Sequence, residues 1–192
     1  GQFNTTTEPG GDILMYPEGD TSAPPSARMP VSGFFFDSIV RQMPIVEEEL
    51  DPEDNLEEFG LVEPETLEHF RAEIERVGDS PRARVATLGG TAFGDIALVP
   101  APFLREPRGI RDVAEWYVST LTRQDYVHEV FTRQCELALA NLERLHAVIG
   151  DAIDAVFVCG TDFGTQTSSF CSTETFDSLY APYYRQVNDW IH

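Results

Sequence analysis

An α/β fold is predicted by three features of this 192-residue sequence. Apolar residues recur at helical spacing over 64–77, 109–122 and 125–149. Two short apolar runs, Arg84-Val85-Ala86-Thr87-Leu88 and Ala155-Val156-Phe157-Val158, each open into a glycine-bearing loop. Their order of helix, buried strand, loop and helix is that of α/β proteins. A hydrophobic fraction of 42% with 11% aromatics suits a globular chain with a sizeable core.

The first 45 residues read as extended chain and turns, since Gly10-Gly11 and Glu18-Gly19-Asp20 bracket the apolar run Ile13-Leu14-Met15-Tyr16 in the manner of a hairpin. Pro24-Pro25, Ser26 and Pro30 then make a loop, and Phe34-Phe35-Phe36 form an apolar patch that the core or a partner must cover. Residues 47 to 58 are an acidic run with only Leu50 and Leu56 for packing, which reads as a solvated linker or a helix start. Residues 1–60 are accordingly taken as a hairpin and acidic linker segment, and 61–192 as the α/β part.

From Pro64, which suits a first turn, Leu67, Phe70, Ile74 and Val77 share a helical face, and Gly78 supplies a stop. Residues 84–88 are a strand candidate running into Gly89-Gly90. The helix at 125–149 carries Val127, Val130, Phe131, Leu137, Leu142, Leu145 and Ile149, and ends at Gly150. Residues 155–158 read as a parallel strand buried on both faces. Ser172 then caps a helix that Pro182 kinks or restarts.

With 13 basic against 33 acidic side chains the formal net charge is −20, and all 13 basic residues are Arg. The absence of Lys excludes P-loop, Schiff-base and kinase lysine chemistry. Such a charge repels polyphosphate, so neither nucleic acid nor an anionic membrane is an expected partner. Cys135, Cys159 and Cys171 are odd in number and lack C-x-x-C or H-x-C spacing. They predict a reducing compartment with no disulfide framework and no self-contained zinc site. The N-terminus lacks a basic-then-apolar signal pattern and no apolar run is long enough to span a bilayer, so a cytoplasmic location is expected.

Among the motifs, Asp162-Phe163-Gly164 matches the kinase magnesium triplet, but the partner lysine and the His-Arg-Asp loop are missing. Gly89-Gly90-Thr91-Ala92-Phe93-Gly94 lacks the endings of a phosphate-binding loop and reads as a tight strand-end turn. Asn4-Thr5-Thr6 fits a glycosylation sequon that matters only on secretion. His69, His128, His146 and His192 lack metal-helix spacing, and Cys159 at a strand end is either a small hydrophobe or a thiol facing a site. The strongest local signal is the loop from Thr161 to Thr167, which places a carboxylate, hydroxyls and an amide just after a buried strand. Asp162 is either a general acid or base, an orienter of a substrate donor, or a cap for the loop's own N–H groups.

Several stretches in order, Gly89-Gly90-Thr91-Ala92-Phe93-Gly94-Asp95, Ile110-Arg111-Asp112-Val113, Asp154-Ala-Val-Phe-Val with Asp162-Phe163-Gly164-Thr165-Gln166, and the ending from Phe176 through Tyr180, Pro182-Tyr183-Tyr184 to Trp190-Ile191-His192, resemble the uroporphyrinogen decarboxylase superfamily. The resemblance implies part of a (β/α)8 TIM-type barrel with its site at the C-terminal strand ends. It further implies that this chain is a middle section of such a barrel; an open parallel sheet of that kind leaves strand edges that need a partner to cover them, a homo-oligomer being one possible arrangement. One branch of that superfamily decarboxylates the acetate arms of uroporphyrinogen without a cofactor. Another transfers methyl groups between corrinoid proteins and thiols, using zinc held by an H-x-C motif and a later Cys.

The methyltransferase-like branch is the leading expectation, with Asp162 as the catalytic residue and Thr161, Phe163, Gln166, Thr91 and Phe93 as substrate-binding residues. No metal ligand falls within this chain, so zinc and corrinoid belong to the full-length protein, and the partner is a small-molecule substrate or a corrinoid protein. Thr161 aligns where the decarboxylase branch carries a serine, and that branch remains the alternative. The third class is a non-catalytic binding module or inactive fragment that docks through Phe34 to Phe36.

Overall fold

The computed structural model describes residues 4–158 and 160–192. In chain order its strands and helices begin with β1 (Asn4–Thr7), β2 (Ile13–Tyr16), β3 (Ala27–Met29), β4 (Asp37–Ser38), α1 (Pro64–Val77) and β5 (Val85–Thr87). They continue with α2 (Val113–Thr122), α3 (Gln124–Ile149), β6 (Ala155–Phe157), α4 (Thr173–Thr175) and α5 (Ala181–Ile191). Short 3-10 turns occupy Pro17–Gly19, Glu47–Glu49 and Pro52–Asn55, and a π-turn fills Phe176–Tyr180. The chain divides into two compact units, one of Gly1–Glu58 with Gly94–Val127, the other of Phe59–Phe93 with His128–His192.

In the first unit β1 to β4 form an antiparallel sheet in sequence order. The expected hairpin is β1 with β2, in register from Asn4 opposite Tyr16 to Thr7 opposite Ile13. It turns at Gly11, whose φ of +95° suits glycine and whose Cβ position lies 2.8 Å from Val31. The segment expected as a proline loop holds β3 instead, because Ala27 to Met29 find a ladder on β2. Phe34 and Phe35 stay exposed, whereas Met15, Ala27, Val99, Ile110 and Trp116 are buried.

The acidic run is not a solvated linker, since arginines from elsewhere in the unit anchor it. Arg111 pairs with Glu58 at 2.8 Å, Arg108 with Asp54 and Glu57 at 2.9 Å, and Arg123 with Glu47 at 2.5 Å. Gln42 fixes the approach to α2 by accepting from the N–H groups of Arg111 and Asp112 and donating to the Gly109 carbonyl. The helix expected from 109 begins at Val113, because Gly109 has a φ of +83° and Asp112 caps the first turn by accepting from the Ala114 N–H.

The second unit holds α1, the parallel pair β5 and β6, and most of α3. β5 and β6 run in register from Val85 opposite Ala155 to Thr87 opposite Phe157. Helix and sheet are thus mixed as the α/β expectation requires, with two strands in the parallel sheet. β6 was expected to be buried on both faces, but Phe157 is 59% exposed and its neighbour Val85 65%. The core lies instead between α3 and the chain's last 17 residues, 176–192, where Phe131, Cys135, Ala138, Leu142, Leu179, Tyr180, Tyr183 and Val187 are buried. Each such large apolar side chain contributes about 1.5–3 kcal/mol of burial.

Ser172 caps α4 as expected, its hydroxyl accepting from the Thr175 N–H at 3.1 Å. Pro182 has no N–H, and its ring crowds the carbonyl four residues back. The preceding turn widens to admit it, with the Ala181 N–H bonded to the Phe176 carbonyl five residues away. The helical path therefore runs on through the proline.

Candidate functional site

The two loops that follow β5 and β6 meet in the second unit. Thr161 joins them: its hydroxyl donates to the Phe93 carbonyl at 2.9 Å and lies 2.9 Å from the Tyr184 hydroxyl. The first loop turns at Gly89 and Gly90, with φ of +75° and +77°, values that favour glycine. Buried Gln134 on α3 reaches the Gly90 carbonyl at 3.2 Å and the Ala92 carbonyl at 3.4 Å. Gln134 was not among the expected residues. Its signal was present in the sequence, as a polar residue between Phe131 and Ala138 on the apolar face of that helix.

Aromatic contacts support both loops. Phe93 is fully buried, edge-on to Tyr184 at 5.2 Å and tilted against Phe131 and Tyr183 at 5.7 Å. Phe163 packs edge-on against Phe176 at 5.2 Å and Tyr180 at 5.1 Å. Such pairs add about 0.5–1.5 kcal/mol each beyond area burial. Phe93 and Thr91, both expected to touch substrate, are buried, so they shape the first loop. Phe163 is half-buried and anchors the second.

Asp162 and Gln166 are exposed. Capping of the second loop falls to Thr165, whose hydroxyl accepts from the N–H groups of Thr167 at 3.3 Å and Ser168 at 3.2 Å. The Thr165 N–H donates to the Ser168 carbonyl at 2.8 Å, and Phe170 N–H closes the loop onto the Phe163 carbonyl at 2.9 Å. Gly164 permits this closure, since a Cβ there would lie 2.8 Å from the Ser168 carbonyl oxygen. The arrangement presents a solvated carboxylate on a braced loop, able to accept a hydrogen bond or a proton from a bound molecule.

The remaining candidates lie elsewhere. His128 Nδ1 sits 3.0 Å from the Tyr183 hydroxyl, and His146 packs edge-on to Trp190 at 6.0 Å. Among the described residues no group of three His, Cys, Asp or Glu could hold a metal ion. Burial pushes the Cys135 thiol up to about 11 and also raises that of Cys171. Cys159 lies outside the described residues. No helix among the described residues is long and apolar enough to cross a membrane.

Fold and loops together describe a mixed helix and sheet protein with a polar loop cluster at the C-terminal ends of two parallel strands, where α/β proteins place their ligands. In comparison with known proteins, no protein-family model, no curated protein and no solved structure matches this chain.

Proposed function

We propose that this chain forms part of a (β/α) barrel enzyme of the uroporphyrinogen decarboxylase type, in its methyltransferase-like branch. The observation that carries the reading is the Thr161 link, which joins the loops after neighbouring parallel strands and leaves the Asp162 carboxylate exposed beside it. In this reading Asp162 orients a donor group of the methyl acceptor, or takes its proton, and Gln166 supplies an amide on the same loop. Thr161, Gln134 and the aromatic cluster hold the two loops in place. The partner is a small-molecule acceptor or a corrinoid protein. Among the described residues no group of His, Cys, Asp or Glu could hold zinc, so in this reading its ligands come from outside them.

The test is methyl transfer from methylcobalamin to a small thiol by the complete enzyme of which this chain is proposed to be part, with zinc supplied, compared with its Asp162→Asn and Gln134→Ala variants. A positioned acid or base contributes about 10²–10⁴-fold. Asp162→Asn is expected to lose activity in that range with an unchanged circular dichroism spectrum, and Gln134→Ala to lose less. No zinc bound and no methyl transfer by the complete enzyme overturn the reading, and its turnover of uroporphyrinogen without metal replaces it by decarboxylation.

A further inference from the structure

The face of the second unit beginning at the N-terminal end of β5 carries a feature that the proposed reaction does not use. Helix α1 has no buried residue, although Leu67, Phe70, Ile74 and Val77 share one face. That face borders a cavity of about 440 Å³, whose apolar wall is Phe70, Ile74 and Val77 from α1 with Val85 and Ile153. The volume falls in the range of small-ligand sites.

Its charged lining runs against the sign of the whole chain. Arg76, Arg82 and Arg84 border the cavity, with Glu73 the one carboxylate among its lining residues. Glu73 is engaged by Arg76, at 2.6 Å in the shortest of three hydrogen bonds. Arg82 is exposed, and no carboxylate among the described residues pairs with it. The Arg84 Nε is buried without a hydrogen-bond partner, and its contact with Asp154 is 3.7 Å, too long for one. The Arg84 side chain as a whole is 31% exposed, and a guanidinium donates to a carboxylate in a forked, charge-assisted geometry. His69 also lines the cavity.

We propose that this cavity is a binding site for a small anionic amphiphile, a medium-chain carboxylate in the simplest case. Its head group lies against Arg82 and Arg84, and its chain lies along Phe70, Ile74, Val77 and Val85. The apolar wall excludes fully hydrated anions such as phosphate as good ligands, and the guanidiniums select against a cationic or neutral head.

Isothermal titration of the 192-residue chain with octanoate, decanoate and dodecanoate, each below its micellar concentration, tests the assignment, with decanol and decylamine as controls. Affinity is expected to rise about fourfold per added methylene. Arg82→Glu, an exposed position, is expected to weaken decanoate binding at least tenfold while the circular dichroism spectrum and urea midpoint stay unchanged. Val85→Asp is expected to reduce the dependence on chain length. The proposal is overturned by absence of decanoate binding, by affinity independent of chain length, by decanol or decylamine binding as well as decanoate, or by an unaltered affinity in Arg82→Glu. Concentration-dependent dimerisation abolished by Val85→Asp, without carboxylate binding, would show that a second copy covers the face and overturns it equally. Neither control nor variant touches Asp162, so failure here leaves the methyl-transfer test standing.

Discussion

Arg111→Met removes the guanidinium on which the first unit's non-local pairing converges. Arg111 is 1% exposed, and its fork meets Glu58 at 2.8 and 3.2 Å. It also donates to the carbonyls of Arg108 at 2.6 Å and Val99 at 3.3 Å, and to that of Asp54. Methionine fills much of the volume but donates nothing, so the Glu58 carboxylate, 18% exposed at its side chain, is left without its partner. Breaking a buried pair from one side costs about 3–5 kcal/mol. Residual solvent at Glu58 places this case at the lower end, about 3 kcal/mol, which is roughly a 150-fold change in the folding constant. At a urea dependence of about 1–3 kcal/mol per molar, the midpoint falls by about 1–3 M.

The two tryptophans make the assay specific. Trp116 is buried in the same unit as Arg111, and Trp190 lies in the other. Urea titration followed by Trp116 fluorescence in a Trp190→Phe background therefore reads the unit that contains the substitution. Adding Glu58→Gln to Arg111→Met removes the orphaned charge and is expected to restore part of the loss. A destabilisation below about 1 kcal/mol, or a double variant no more stable than the single, would refute the argument.

Asn55→Ala is expected to cost about 3 kcal/mol in the same assay, because Asn55 satisfies both the N–H and the carbonyl of fully buried Ile110 at 2.8 Å. Gly164→Ala drives a Cβ to 2.8 Å from the Ser168 carbonyl; hydrogen exchange at Thr165 and Phe170 is expected to accelerate while α3 stays protected, and unchanged exchange would contradict it. Cys135 is 2% exposed with its thiol pushed up to about 11 by burial, so a thiol reagent at pH 8 is expected to leave it unlabelled until the chain unfolds. The unfolded chain ionises this thiol first, so its contribution to stability is whole below the ordinary thiol range and is lost as pH rises toward about 11, which urea midpoints at increasing pH would show.

Short-range features of the sequence were sufficient for most element boundaries. Pro64 at a helix start, Gly78 and Gly150 at helix ends, and Ser172 as a cap act on neighbours within four residues, and the structure places helix ends at each of them. The 3.6-residue apolar period likewise located α1 and α3, and in α3 it marks the side that is buried, whereas α1 has no buried residue. Asp112 shows the limit of such reading. It caps α2, but it follows Gly109 in a left-handed conformation, and that moved the helix start from 109 to 113.

What only the tertiary structure decided are the partners of polar groups. Nothing local tells Arg111 that its carboxylate is 53 positions away at Glu58, or turns an acidic run into an anchored one. In the same way Phe93 entered the core because α3 and the C-terminal helices enclose it, and Asp162 stayed free because Thr165 satisfied the loop's N–H groups first. The exposure of Val85 and Phe157 is equally non-local, since an apolar strand is buried only where a second layer covers it. Periodicity and caps are properties of adjacent residues, whereas the burial and satisfaction of a given side chain depend on which distant segments are brought against it.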